Sequence, residues 1–282
     1  MLTQVPPLFA GLVDDASMLP PAMGGVTESL AAHRKHRAAW YSPLVGALLV
    51  PASLVDLEVS PRGLPVAVVN DAAIAALPVA IGKLRAAGAV VAQAEALVAR
   101  RGEDPRPGLD ALRDLAIREQ GLRVYAEIPL SWGLLAALDT VAAARADGVA
   151  ICPKFRVGGL AAELFPTPVE LAAVICACRD RELPFKLAAG LRHALRHTDP
   201  ETGFTHHGFL NVLVASALAV DGGEVADVAE VLAATHPLPL VEPARARWED
   251  ARPLWVGFGA GNVLEPLTEL IRLGLINGGT EV

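Results

Sequence analysis

Short apolar runs recur along the chain, and longer segments with helical periodicity lie between them. Each run is apolar almost throughout, which is typical of parallel strands that are covered on both faces. The predicted strands are 45–51, 64–70, 89–97, 123–129, 148–154, 184–188 and 254–257. The predicted helices are 28–41, 72–87, 109–120, 134–146, 168–182, 224–234 and 264–275. Residues 208–220 are interpreted as a helix because they are long and alanine-rich, with a strand as the alternative.

This alternation of strand and helix predicts an α/β fold, either a (β/α)8 TIM-type barrel or a doubly wound sheet. The length of 282 residues favours the barrel, with one strand irregular or missing. We expect residues 1–43 to form an N-terminal segment whose one helix covers the barrel, and residues 44–282 to form the barrel. Asp14 and Asp15 are interpreted as a turn or helix cap, the alternative being that they face a cation or substrate.

Composition and charge narrow the classes of partner. Aromatic residues make up only 5% of the chain and the net charge is −7, so a nucleic acid is not expected. No apolar run reaches 18 residues without a charge, so no membrane partner is expected either. The three cysteines are too few for a disulfide framework and favour the cytoplasm. Alanine-rich outer helices favour a homodimer. No dinucleotide or P-loop motif occurs, and we expect no cofactor and no metal.

Lysine is rare in this chain, and the positions of two of the lysines indicate a role in an active site. Only Lys35, Lys83, Lys154 and Lys186 are lysines. Lys154 and Lys186 lie in the two strands of one predicted βαβ unit, where α/β folds carry their active sites. Two ammonium groups close together would lower each other's pKa, which activates an amine as a nucleophile. The alternative is that each lysine pairs with a carboxylate or reaches the surface.

Other polar residues follow the same strand ends. Glu127 ends the strand that precedes Lys154, and it is interpreted as a general acid or base, or as an ion-pair partner of the lysines. Arg156, Arg192 and Asn70 are interpreted as groups that bind the anionic part of a substrate. His193 is interpreted as an acid or base that closes over the mouth of the barrel. A metal site built with His197, or a solvated loop, remains the alternative for this histidine-rich segment.

The last predicted strand runs into a glycine-rich segment that precedes a helix. Backbone N–H groups at a helix N-terminus attract anions, and barrels often bind phosphate near their last strands. We therefore expect an anion to bind here, the alternative being a turn in which glycine only permits tight packing. The residues of this predicted site are Gly257, Gly259, Gly261 and Asn262.

The segment Phe185–Gly190 resembles the sixth strand of class I aldolase barrels, in particular the deoxyribose-phosphate aldolase group. That group carries a Lys-Thr-Ser-Thr-Gly run, where this chain has leucine and two alanines between its lysine and glycine. The resemblance implies that Lys186 forms a Schiff base, that Lys154 tunes its pKa, and that a glycine-rich end holds phosphate. The segments around Lys154 and Gly190 also resemble bacterial proteins to which no activity is attached.

Together these features predict an enzyme that acts on a small anionic carbonyl substrate, phosphorylated or carboxylated, by aldolase- or lyase-like Schiff-base chemistry. One alternative is a phosphosugar isomerase or phosphoribosyl-type transferase that uses the same basic mouth without a covalent step. Others are a non-catalytic ligand-binding barrel and a metal-dependent lyase.

Overall fold

The computed structural model describes residues 4–56 and 60–278. Eight parallel strands close into a barrel with helices around it, which confirms the predicted (β/α)8 class. The first seven barrel strands are β1 Val13–Asp15, β2 Val45–Pro51, β3 Pro65–Val69, β4 Val90–Leu97, β5 Arg123–Glu127, β6 Ile151–Arg156 and β7 Phe185–Ala188. A small hairpin follows, formed by β8 His197–Thr198 and β9 Thr205–His206. The eighth barrel strand, β10 Trp255–Ala260, lies between β7 and β1.

The helices agree with most of the predicted segments. Those before the hairpin are α1 Val26–Ala38, α2 Leu77–Ala86, α3 Arg106–Arg118, α4 Leu134–Ala146 and α5 Pro168–Arg179. Those after it are α6 Phe209–Val220, α7 Val225–Ala233, α8 Leu238–Ala246 and α9 Leu264–Arg272. The helical interpretation of 208–220 is therefore confirmed. Helix α8 was not predicted, because Pro243 lies inside it. Within 4–56 and 60–278, no helix is long and apolar enough to cross a membrane.

The strand that the sequence pattern did not reveal is the first one. The interpretation of Asp14 and Asp15 as a turn or cap was wrong, because both belong to β1, which pairs in parallel with β10 and β2. This strand has only three residues, two of them acidic, so it produces no apolar run. The N-terminal segment 1–43 thus contributes a barrel strand as well as α1. Each later strand therefore has a number in the barrel one higher than the sequence predicted. Lys154 lies on the sixth barrel strand and Lys186 on the seventh.

The outer faces of the strands carry the large apolar side chains of the core. Phe155, Leu187 and Phe258 are fully buried between the strands and the helices. The small group of apolar side chains inside the barrel includes Ala47 and Ala67. Leu49 belongs to the same group, but Ala47 and Ala67 are small and leave room for long charged side chains from β4, β6 and β7.

Candidate active site

Alternation along the strands directs one set of charged side chains into the barrel. On β6, Phe155 packs outward, while Lys154 and Arg156, one residue to either side, contact residues of neighbouring strands. The strand register places Glu127 beside Lys154, and Lys154 beside Lys186. Three neighbouring strands therefore bring these side chains together, as the sequence predicted for the two lysines and Glu127.

Six residues form a continuous series of contacts between opposite charges, which we call the ion-pair chain. Lys186 Nζ contacts the carboxylates of both Asp14 and Glu95. Lys154 Nζ lies 2.8 Å from Glu95 Oε2 and 2.8 Å from Glu127 Oε2. Arg156 Nε completes the chain, 3.0 Å from Glu127 Oε1. The series contains three carboxylates and three cations, so its formal charges cancel.

Almost all of the ion-pair chain is shielded from water. Glu95 and Lys186 are 0% and 2% exposed, whereas the side chain of Arg156 is 47% exposed. Arg156 and Glu127 are the last residues of their strands, so this end of the chain opens at the carboxyl-end mouth of the barrel. Lys186 also lies over the ring of Tyr125, 4.9 Å from its centroid.

Asp14 is held by the backbone as well as by Lys186. The N–H of Ala47 donates to Asp14 Oδ1 over 2.7 Å. The neighbouring residue, Gly46, has no side chain, and a Cβ there would overlap the Asp14 carboxylate. The glycine in β2 thus makes the space that a carboxylate from β1 occupies.

The pKa values of the two lysines differ from the expectation drawn from their proximity. Burial would lower the pKa of Lys154, but the carboxylates of Glu127 and Glu95 outweigh it and raise that pKa. Burial would also lower the pKa of Lys186, but the carboxylates of Asp14 and Glu95 outweigh burial and raise that pKa. The expectation that the lysines lower each other's pKa was therefore wrong. Carboxylates stand between the ammonium groups, and both lysines are charged at neutral pH.

The three carboxylates respond differently to the same surroundings. Burial would raise the pKa of Glu95, but Lys154 and Lys186 outweigh it and lower that pKa to about 2. Burial is also outweighed at Glu127, whose pKa is lowered by Lys154 and Arg156. At Asp14 burial dominates over the attraction of Lys186, so the pKa of Asp14 is raised. Asp14 is therefore the carboxylate of the chain that accepts a proton most readily.

His193, Arg192 and Asn70 lie outside the ion-pair chain, as do the four residues of the predicted glycine-rich site. His193 Nδ1 lies 2.6 Å from Glu269 of α9, and Arg192 lies 3.6 Å from Glu265 of the same helix. Both are more than half exposed and join the loop after β7 to α9. Asn70 follows β3 and donates its backbone N–H to the carbonyl of Glu95, while its side-chain oxygen is buried without a hydrogen-bond partner among the described residues.

The predicted glycine-rich anion loop is divided between a strand and a loop. Gly257 and Gly259 belong to β10, so they are not part of a loop before a helix. A Cβ at Gly257 would overlap the carbonyl oxygen of Leu12, so glycine is required there for strand packing. Gly261 and Asn262 do precede α9, but Asn262 Oδ1 already accepts a hydrogen bond from the N–H of Leu264.

The histidine-rich segment forms a compact aromatic group on the β8–β9 hairpin. The rings of His193 and His197 have centroids 4.3 Å apart, and those of His197 and His206 are 5.2 Å apart. His207 is separate and buried, and burial lowers its pKa to about 4. In the described part of the chain, no three His, Cys, Asp or Glu side chains are arranged to hold a metal ion.

Sequence reasoning gave no role to Glu95, and for Asp14 it offered contact with a cation or substrate only as the alternative to a turn or cap. The signal that could have identified Glu95 is a single acidic residue within the otherwise mostly apolar strand β4. Asp14 was missed because its strand was missed. In chemical terms, the arrangement offers two buried ammonium groups, three carboxylates that can exchange protons with them, and one exposed guanidinium for an anion.

Comparison of the chain with protein-family models, with curated proteins and with solved structures gives no match.

Proposed function

We propose that this protein is an enzyme that acts on a small anionic carbonyl compound at the carboxyl-end mouth of the barrel, by forming an imine with Lys154. The observation that carries the proposal is the contact of one fully buried carboxylate, Glu95, with two buried lysines. Buried ion pairs are costly to desolvate and contribute little to stability compared with apolar packing. Clusters of buried groups with perturbed pKa values are common in active sites.

Two arguments support Lys154 rather than Lys186 as the reacting amine. Lys154 is next to Glu127 and Arg156, which end their strands at the mouth where barrel enzymes bind substrates. It also lies on the sixth barrel strand, where the resemblance places a Schiff-base lysine, although the resembling segment Phe185–Gly190, with Lys186, is the seventh strand of this barrel. The expected roles of the two lysines are thereby exchanged, with Lys186 as the tuning residue.

Substrate binding itself can activate the amine. Arg156 is the exposed member of the ion-pair chain, so a carboxylate or phosphate of the substrate can bind it in competition with Glu127. When Glu127 loses that partner, its pKa rises, and it becomes a better acceptor for a proton of Lys154, 2.8 Å away. The neutral amine can then attack the carbonyl carbon.

The charges of the site also suit the product of that attack. Condensation of the lysine ammonium with a carbonyl group releases one water and leaves a protonated imine, so the nitrogen carries one positive charge before and after. Glu95 and Glu127 can therefore pair with the iminium as they pair with the ammonium. The iminium withdraws electrons, and bond cleavage, dehydration or isomerisation can follow.

A second candidate is favoured by the raised pKa of both lysines. A site whose amines stay protonated can neutralise a phosphorylated substrate without a covalent step, as in an isomerase or transferase.

All three cysteines lie in the described part of the chain as buried, free thiols, which is compatible with the cytoplasm that we propose as the compartment.

Borohydride reduction separates the two candidates. The protein is incubated with a panel of small aldehydes and ketones, with and without phosphate or carboxylate groups, then reduced and weighed intact. We expect a stable adduct whose added mass is that of the carbonyl compound less one oxygen atom. Lys154→Arg keeps the positive charge but cannot form an imine, so the adduct should disappear.

Substitutions at other residues test whether formation of the reduced adduct depends on Lys154 specifically. Lys186→Arg and the surface variant Lys83→Ala should both retain the adduct, and Arg156→Gln should weaken it for anionic carbonyl compounds only. Adducts that persist in Lys154→Arg, or the absence of any adduct across the panel, would exclude imine formation at Lys154. The second candidate would then be preferred if turnover is found, and a ligand-binding barrel if only binding is found.

A further inference from the structure

A second polar space lies at the opposite end of the barrel from the proposed substrate site. Its volume is about 310 Å³, which is at the lower end of the range for small-molecule sites. The residues that line it come from the amino ends of their strands or from the segments just before them. They include Ala10, Gly11, Gln93, Arg123, Lys186 and Arg252. We call this space the amino-end cavity.

Positive charge exceeds negative charge in the lining of this cavity. Arg123, Arg252 and Lys186 contribute three cations, and Asp14 is the one carboxylate that lines it. Asp14 is already engaged by Lys186 and by the N–H of Ala47. Neither arginine has a carboxylate within 4.0 Å among residues 4–56 and 60–278, so neither forms an ion pair there, and Asp14 attracts Arg252 only at longer range.

Arg252 has neutral hydrogen-bond partners and a lowered pKa because no carboxylate pairs with it in the described part of the chain. Its guanidinium donates to backbone carbonyls, over 2.7 Å to Leu8 and 2.8 Å to Trp255, which are neutral acceptors. Burial lowers the pKa of Arg252 to about 10, because no nearby carboxylate fully offsets the loss of water. An anion in the cavity would supply the missing negative charge.

One side of the cavity is lined by solvent-exposed residues and the other by buried residues. Ala10, Gly11 and Arg123 are exposed, so an ion from solvent meets them first. Asp14 and Lys186 are buried and form the inner wall, and the Gln93 amide offers a further polar group. A ligand can therefore enter beside Arg123 and approach the inner wall, where Lys186 already donates to Asp14, Glu95 and Gln93.

From this charge, size and access we propose that the amino-end cavity binds a small oxyanion, a carboxylate or a phosphate group, with Arg123 as its principal contact. Guanidinium groups bind both kinds of oxyanion through paired N–H donors. The site is distinct from the carboxyl-end mouth, and the proposal does not depend on imine formation at Lys154.

Binding of inorganic phosphate and of succinate, measured by isothermal titration calorimetry at constant ionic strength, tests this proposal. We expect saturable binding of at least one of them that persists in Arg156→Gln, with one site per chain in that variant. Arg123→Gln should weaken it about tenfold or more, as expected for loss of a charged hydrogen bond. Arg123→Lys should retain more affinity than Arg123→Gln, and Ala10→Phe should weaken binding by narrowing the entrance.

Two control variants distinguish the amino-end cavity from other cationic surfaces. Arg118→Gln changes an exposed arginine of α3 that donates to the carbonyl of Asp114 in its own helix, and it should leave the affinity unchanged. Arg156→Gln removes the guanidinium at the carboxyl-end mouth, so anion binding that this variant abolishes belongs to the mouth and binding that it retains belongs to the cavity. Unaltered affinity in Arg123→Gln with native-like unfolding, or no saturable binding of either anion in Arg156→Gln, would overturn the proposal.

Discussion

Glu95 is the residue on which the interior of the barrel depends most. Its carboxylate has no solvent exposure and contacts both Lys154 and Lys186, so it compensates two buried charges at once. Removing one partner of a buried ion pair leaves the other charge without compensation, which costs far more than the pair contributes.

We therefore expect Glu95→Gln to lower the free energy of unfolding by about 3–5 kcal/mol, because the amide keeps the size of the side chain but not its charge. The measurement is urea unfolding at neutral pH. Asp56→Asn is the matched control, since Asp56 pairs with Lys83 over 2.8 Å at the surface and is 79% exposed. That change should cost less than about 1 kcal/mol. Equal effects of the two substitutions would show that the interior charges are not tightly coupled.

The sequence predicted several of these residues but not their connection. The scarcity of lysine identified Lys154 and Lys186, and strand ends identified Glu127 and Arg156. The pKa direction could not be predicted, because it depends on which side chains stand between the lysines. Glu95 and Asp14 come from strands far apart in the chain, and only the closed barrel brings them to the lysines.

The secondary-structure elements follow the apolar pattern closely wherever an element is long. Strand β2 and helix α4 have the predicted bounds, because an apolar run and an alanine-rich helix end at clear breaks. Strand β1 and the hairpin strands β8 and β9 were missed, since they have two or three residues and few apolar positions. Such short strands are defined by pairing partners rather than by their own sequence.

The different surroundings of two helical glycines allow a prediction about how closely the helices pack on the barrel. Gly82 is an exposed residue inside α2, and a Cβ there would have no atom within 4 Å. Gly108 lies in α3, and a Cβ there would overlap the backbone of Val98 after β4. Gly82→Ala should raise the free energy of unfolding by about 0.5–1 kcal/mol, because alanine restricts the unfolded chain.

Gly108→Ala should lower the free energy of unfolding despite the same gain in helix propensity, because the helix must move away from the strand end. Thermal or urea unfolding of both variants measures the difference. Stabilisation by both substitutions would contradict the close approach of α3 to the end of β4.

At the scale of the whole molecule, the barrel class followed from chain length and from the regular alternation of elements. The position of the charged network within it did not, because the N-terminal segment supplies β1 and completes the ring between β2 and β10. With β1 in place, one barrel presents two differently charged openings. The carboxyl-end mouth has a neutralised ion-pair chain, and the amino-end cavity has excess positive charge.

The buried network also predicts how the fold responds to acid. The pKa of Glu95 is lowered from 4.5 to about 2 in the folded chain, so its contribution to stability is present above about pH 5 and is lost as the pH falls towards 2. The loss is of the order of 3 kcal/mol, and the raised pKa of Asp14 opposes part of it. Urea unfolding from pH 7 to pH 3 should show this decline, and Glu95→Gln should flatten it. An equally steep decline in the variant would assign acid sensitivity to other carboxylates.

The most direct test of the account is to locate the reduced carbonyl adduct within the wild-type chain. The chain has only four lysines, so proteolysis and mass spectrometry after borohydride reduction can distinguish them from one another and from the α-amino group. The account predicts modification of Lys154 alone, with an anionic aldehyde or ketone reacting in preference to its uncharged analogue. Modification at Lys186, at the surface residues Lys35 or Lys83, or at none of the four would contradict it.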